Sequence, residues 1–203
     1  MLRNEFMIAV RFTLVTAVVL GILYPLVVTG IGHLAFRHQA DGNLIVANGQ
    51  VTGSRLIGQN FTGDQYFHGR PSNAGNGYDA TSSGPSNYAA SNRKLISRID
   101  GDVAHYAAEN KGQPVPIDLV TASGSGLDPD ISPAAAMFQA PRVANARHLP
   151  VATVRALVER RVERRQFGFM GEERVNVLLL NMDLDGIATL VIEEREYDRC
   201  FDV

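Results

Sequence analysis

Ser123-Gly-Ser-Gly126 comes nearest, in composition, to a stretch that could do chemistry. Two hydroxyls alternate with two glycines, and such a run can bend its backbone amides around a phosphate. The lysine-and-hydroxyl ending of a P-loop is absent, and the next helix start lies beyond Asp128-Pro-Asp130. Ser125 has glycine immediately on both sides, so the spacing of a nucleophile elbow fails. A nucleotide or anion cradle and a plain turn cluster both stay open for Ser123, Gly124, Ser125 and Gly126. Asp128 and Asp130 could take a cation, but the calcium-loop spacing is missing. Acids just ahead of a helix N-terminus are also stabilised there by the helix dipole. His33, His38, His68, His105 and His148 show no paired ligand spacing, so no metal site is expected. His68-Gly-Arg70-Pro71 is the most distinctive polar cluster. Arg70 can bind an anion or fasten its loop to backbone carbonyls, with Asp79 a candidate partner. No catalytic set emerges.

Composition narrows the classes. The 203 residues are 45% hydrophobic and 20% charged, with a net charge of -2. That balance argues against nucleic acid, whose binders carry a basic face. The single Cys200 excludes an internal disulfide and a cysteine metal cluster.

The elements that must position these residues begin with an apolar run. From Phe12 to Gly32 there is no charge, close to the ~20 residues that a helix needs to cross hydrocarbon. A cleaved signal peptide is the main rival, but its apolar region is usually shorter, and Gly32-His-Leu-Ala-Phe36 makes a poor cleavage site. A buried core helix is rarely so long without a charge. The preferred division is a short cytoplasmic N-terminus over 1–11, a transmembrane helix over 12–36 and a soluble α+β domain over 37–203. Arg3 and Arg11 precede the run and Arg37 follows it, which places the N-terminus inside and the body outside the cytoplasm. Pro25 should kink the helix near the Gly21 carbonyl. Ala17 and Gly21 form a small-xxx-small pair that lets another helix approach. Those three are candidate partner contacts, together with His68 and Arg70.

In the body, Asn48-Gly49 between β-branched residues predicts a hairpin over 43–52, with its second strand extended through Ser54–Thr62. The stretch from Tyr66 to Asn92 is rich in Gly, Ser, Asn and Pro. Aromatics spaced through it suggest an ordered, packed loop. A helix is expected from Asn92, with Leu95, Ile99, Val103 and Tyr106 on one face, ending at Lys111-Gly112. A short buried strand is read over 114–120. Ser132-Pro133 marks a helix start, with Pro141 an interruption or restart. Pro150 opens a helix carrying Val151, Val154, Leu157, Val158 and Val162, and Arg160–Arg165 reads as a solvated, ion-paired face. Strands are expected over 174–180 and 187–192, with Asp185-Gly186 as the turn.

Several segments resemble one family. Tyr24-Pro-Leu-Val-Val-Thr-Gly30, Gly58-Gln-Asn-Phe-Thr62 and Tyr66-Phe-His-Gly-Arg-Pro-Ser72 are similar to the C subunit of Kdp, the high-affinity potassium-transporting P-type ATPase. So are Ser83-Gly-Pro-Ser-Asn87, Asp118–Asp128, Ile131–Ala136, Pro141–Arg147 and Val175–Asn181. The likeness runs in order through residues 1–185, and the tail Gly186–Val203 departs from it. The resemblance implies a single-pass, non-catalytic subunit of a bacterial inner membrane, with its body periplasmic. It implies assembly with a channel-like potassium-translocating subunit and an ATP-hydrolysing P-type subunit. It further implies a catalytic chaperone that raises the ATP affinity of the latter, with no tightly bound cofactor and at most a transient, shared ATP. An external body would hold Ser123–Gly126 away from cytoplasmic ATP, so the effect would pass through the assembly. The competing function is a stand-alone, membrane-anchored periplasmic binding protein or hydrolase using the 66–92 loop and Ser123 or Ser125.

Overall fold

Nothing in the sequence from Leu2 to Ala35 stops a helix outright, and one helix runs through it in the computed structural model. The structure describes residues 2–47, 49–110 and 113–186. Two α-helical parts, α1 (Leu2–Val18) and α2 (Tyr24–Ala35), are joined by a π-helical turn, Val19–Leu23. There the Tyr24 amide donates to the Val19 carbonyl, five residues back instead of four. Pro25 explains the turn. Its ring removes one bond and presses on the carbonyl four residues earlier, and a wider turn relieves that pressure. The helix opens at Leu2, ahead of the expected Phe12, because Leu2–Arg11 is itself free of breakers. Its apolar side chains find no cover among the described residues; Phe12, Leu20 and Leu26 are 69%, 63% and 64% exposed. The stretch Arg3–Ala35 is long and apolar enough to cross a membrane.

The chain divides into two compact units, Met1–Leu44 and Ile45–Val203. In the first, Phe36 leaves the helical region at φ −135° and a single turn, α3 (Arg37–Ala40), follows. Gly42 and Asn43, at φ +89° and +50°, close it.

The second unit is α+β. Strands β1 (Leu44–Ala47) and β2 (Gln50–Ser54) form a two-stranded sheet. Gly49 takes φ +76°, a conformation that glycine adopts cheaply; Asn48 lies outside the described residues. Beyond Ser54 the strand does not continue. Residues 55–62 are turn and loop, with Leu56 exposed and only Phe61 reaching the core. Helix α4 (Arg93–Glu109) starts where expected, its Lys94 amide donating to the Asn92 side chain. Of its expected face only Tyr106 is buried; Lys111-Gly112 lie outside the described residues.

The core gathers on α5 (Pro133–Ala146), capped by Ser132, whose hydroxyl accepts from the Ala135 amide. Alanines at 135, 136, 140 and 144 bring neighbours close, and Phe138 and Val143 fill the space between them. The helix runs through Pro141 unbroken. Val154 and Val158 of α6 (Val151–Arg160) pack on this core. Three short strands, β3 (Asp130–Ile131), β4 (Val162–Glu163) and β5 (Arg174–Asn176), form an antiparallel sheet in the order β3-β5-β4. Val175 pairs with Ile131 on one side and Val162 on the other. Val162 therefore belongs to a strand, not to the helical face assigned to it. Within the run read as a solvated face, Arg161 pairs with Asp183, and Glu163 with Arg55 and Arg174.

Two further expectations change. Residues 114–120 form no strand; Ile117–Leu119 is a single 3-10 turn, leaving Ile117 exposed while Leu119 and Val120 are buried. The run read as a strand over 174–180 is strand only to Asn176, and α7 (Val177–Leu184) follows. Asn176 caps that helix by accepting from the Leu179 amide. Asp185-Gly186 ends α7, with the Gly186 amide on the Asp183 carbonyl and φ +64°. The strand expected over 187–192 and the rest of the tail lie outside the described residues.

Candidate functional site

The segment Gly63–Ala74 carries the His68–Pro71 cluster, has no regular secondary structure, and yet buries Phe67 and Ala74 completely. An irregular backbone inside a core needs partners for its amides and carbonyls. Two side-chain carboxamides supply them. Asn181 of α7 accepts from the Phe67 amide at 2.8 Å and donates to the Phe67 carbonyl at 3.0 Å. Gln139 of α5 does the same for His68, at 2.8 Å and 3.0 Å. Each carboxamide acts as one rung of a β-ladder, contributed by a helix. Asn181 is 1% exposed and Gln139 is fully buried.

Arginines hold the rest of the segment. Arg142 donates to the carbonyls of Asp64 and Tyr66, to the Gln139 amide oxygen and to Glu109. Arg147 reaches the Gln65 and Leu184 carbonyls and pairs with Asp185 at 2.7 Å. Its guanidinium also lies 5.0 Å from the Tyr66 ring centroid. The His68 ring bonds the Gly63 carbonyl at 3.1 Å. Burial, with the Arg142 charge behind it, holds the His68 pKa below its ordinary value, so the ring is neutral at pH 7. A neutral ring bonds a carbonyl as a donor.

Arg70 is a fastener. It donates to the Thr121 and Ala122 carbonyls and pairs with Asp128 at 2.9 Å. The expected partner Asp79 is elsewhere; it caps the turn Ala80–Ser82 through the Thr81 amide and hydroxyl. Proximity in sequence suggested Asp79, but the chain brings Asp128 across from another loop. Tyr78 completes the clasp by donating to the Arg70 carbonyl at 2.6 Å. Burial raises the Tyr78 pKa to about 12, with Asp128 adding to the effect, so the phenol keeps the proton it donates.

Ser123–Gly126 packs against this clasp. The Ser72 hydroxyl donates to the Gly126 carbonyl, and the Gly84 amide and Ser83 hydroxyl both donate to the Ser125 carbonyl. The Ser123 hydroxyl accepts from the Gly126 amide, and the Ser125 hydroxyl from the Leu127 amide. Two amides that a phosphate would need are thus given to the loop's own hydroxyls. Asp130 faces Arg174 at 3.1 Å and accepts from the Asn176 side chain. Burial pushes its carboxyl pKa up, against the pull of that arginine.

Arg70 and Ser123–Gly126 therefore meet in one loop cluster, while His68 turns to Gly63 and α5. Ala17, Gly21 and Pro25 belong to the N-terminal unit, where a Cβ placed on Gly21 would meet nothing within 4 Å. Sequence reasoning missed Gln139, Asn181, Tyr78, Arg142 and Arg147 as anchors. The density of arginine in Pro141–Arg147 was the one available signal.

A helix fit to cross a bilayer, followed by an α+β body whose loop polar groups are engaged with one another, defines a tethered domain. The family whose sequence model matches residues 6–186 is KdpC, described as the K+-transporting ATPase, c chain. The chain belongs to the KdpC family. A potassium-transporting ATPase KdpC subunit of Acidobacterium capsulatum is 57% identical over 183 residues, covering 90% of this chain and 98% of that one. The Koribacter versatilis subunit is 50% identical over 185 residues, covering 91% and 96%. The Mycobacterium tuberculosis subunit is 49% identical over 187 residues, covering 91% and 99%.

Proposed function

We propose that this chain is a non-catalytic accessory subunit of a potassium-transporting ATPase complex, fixed in the bacterial inner membrane by its N-terminal helix with the body on the periplasmic side. It assembles with a channel-like subunit and an ATP-hydrolysing subunit, and it raises the ATP affinity of the latter. The observation that carries the reading is the family match over residues 6–186. The loop chemistry agrees with it, since the Ser123 and Ser125 hydroxyls bond their own turn. In this reading Ser123–Gly126, His68 and Arg70 act as a shaped surface for partner subunits, and the effect on ATP passes through the assembly. Purified complex lacking this subunit is expected to lose potassium-stimulated ATP hydrolysis at low ATP, with activity partly recovered at high ATP. Unchanged hydrolysis at all ATP concentrations would refute it.

The helix contributes more than a tether. Ala17 lies just before the π-helical turn and Gly21 within it, and small residues let helices close on one another in lipid. Gly21→Leu should lower co-purification of the partner subunits several-fold while the body keeps its thermal transition. An intact complex would reduce the helix to a plain anchor.

A further inference from the structure

Gln166 and Met170 face each other across a turn, each amide bonding the other's carbonyl at 3.0 and 2.9 Å. Between them run Phe167, Gly168 and Phe169, and the Phe169 amide closes the turn on the Gln166 carbonyl at 3.2 Å. Phe167 and Gly168 have φ of +52° and +78°. Two successive positive φ values belong to the mirror-image hairpin turn that Asn-Gly fills best. Here a phenylalanine holds the asparagine position, in a backbone region that bulky residues avoid. It is also 70% exposed, with Phe169 at 74% and Met170 at 48%.

Phe167 is thus unfavourable twice, in its backbone and in water, and asparagine would relieve both at once. Costs of this kind persist where something outside the chain offsets them. We propose that the Phe167–Met170 tip is a membrane finger, entering the headgroup layer of the bilayer in which the N-terminal helix is anchored. This rests on the anchored reading given above, whichever side of the membrane the body occupies. Lipid fits for three reasons. Only residues 36–43 separate the end of the apolar helix from strand β1, so the chain itself tethers the body to whatever membrane holds that helix. The tip is a convex turn with no hydrogen-bonding side chain between Gln166 and Gly171, as suits a disordered solvent better than a specific pocket. Exposed Arg164 and Arg165 precede it, and cations behind an apolar tip match anionic headgroups. Glu172 and Glu173 come only beyond Gly171, on the returning arm.

The chain contains no tryptophan, so a single introduced indole reports its own surroundings. Full-length Phe169→Trp would be reconstituted into phosphatidylcholine–phosphatidylglycerol vesicles, with and without bromine on the acyl chains. Val27→Trp, inside the helix, serves as an independent reporter of the anchor. The expected result is blue-shifted Phe169→Trp emission, roughly halved by brominated lipid and little affected by aqueous iodide. Val27→Trp should be quenched at least as strongly. Val27→Trp quenched by brominated lipid, with Phe169→Trp quenched only by iodide, would overturn the finger and leave the anchor standing. Val27→Trp escaping brominated lipid would overturn the anchored reading and the finger with it. In the assembled complex, Phe169→Trp shielded from both quenchers would assign the tip to a protein pocket and also overturn the proposal.

Discussion

Asn181→Leu is expected to destabilise the body by about 3–4 kcal/mol, although it keeps the volume of the side chain and changes no charge. The reason is accounting of backbone groups. Asn181 supplies the acceptor for the Phe67 amide and the donor for its carbonyl, in a site only 1% exposed. Leucine leaves both buried, and an unsatisfied buried polar group costs about 1–3 kcal/mol. For a domain of this size each kcal/mol moves the melting temperature by roughly 2–4 °C, so a fall of about 10 °C should be seen. Amide exchange at Phe67 should quicken before global unfolding, since the segment is held by side chains and not by a ladder. Gln139→Leu should act in the same direction on His68. Because the two carboxamides grip consecutive residues, the double variant should cost less than the sum of the two singles. A melting temperature within a degree of the parent would show that the segment finds other partners, and the two-rung description would fail.

How much of this was readable beforehand depends on how local the information is. The helix starts at Asn92 and Ser132 were legible because a cap and its helix lie within a few residues of each other. The apolar helix was legible from length and absence of charge. Asn176 carried the same cap signal, yet Val177–Leu180 looked like a strand, and a short apolar run cannot be told from a helix by periodicity alone. Packing decides it: in α7 Leu180 joins the main core, while Leu178 and Met182 join Ala47 in a second cluster. The 114–120 stretch misled for a related reason. Its apolar residues suggested a buried strand, but the turn at Ile117–Leu119 points Ile117 to solvent.

The site was harder. Arg70 was recognisable as a loop fastener from its Gly and Pro neighbours, but nothing in the sequence distinguishes Asp128 from the nearer Asp79. The carboxamides left no local trace at all. A glutamine inside an alanine-rich helix reads as neutral until the backbone it bonds, 71 residues away, is placed beside it. Glycine shows the same limit. Gly124 and Gly126 are two positions apart in one motif and look interchangeable in composition. In space they are not.

Gly126→Ala should cost about 3–4 kcal/mol, and Gly124→Ala less than about 0.5 kcal/mol, the usual range for an exposed change that touches nothing. Gly126 has φ +69°, which alone costs an L-residue about 1–2 kcal/mol. A Cβ there would also stand 2.8 Å from the Ala74 amide nitrogen and 2.9 Å from the Gly84 carbonyl oxygen. Both are backbone atoms, so neither can rotate away, and forcing the loops apart adds roughly 1–3 kcal/mol. A Cβ on Gly124 meets nothing within 4 Å, and its φ is not in the left-handed region. The pair separates two meanings of the same motif. If the packing of Ser123–Gly126 against the Arg70 clasp shapes a partner surface, Gly126→Ala lowers both melting temperature and co-purification of the partner subunits, and Gly124→Ala leaves the first unchanged. Equal melting temperatures for the two variants would mean that the loops part freely at Ala74 and Gly84. Ser123–Gly126 would then hold nothing in place, and the Arg70–Asp128 pair would have to carry the junction alone.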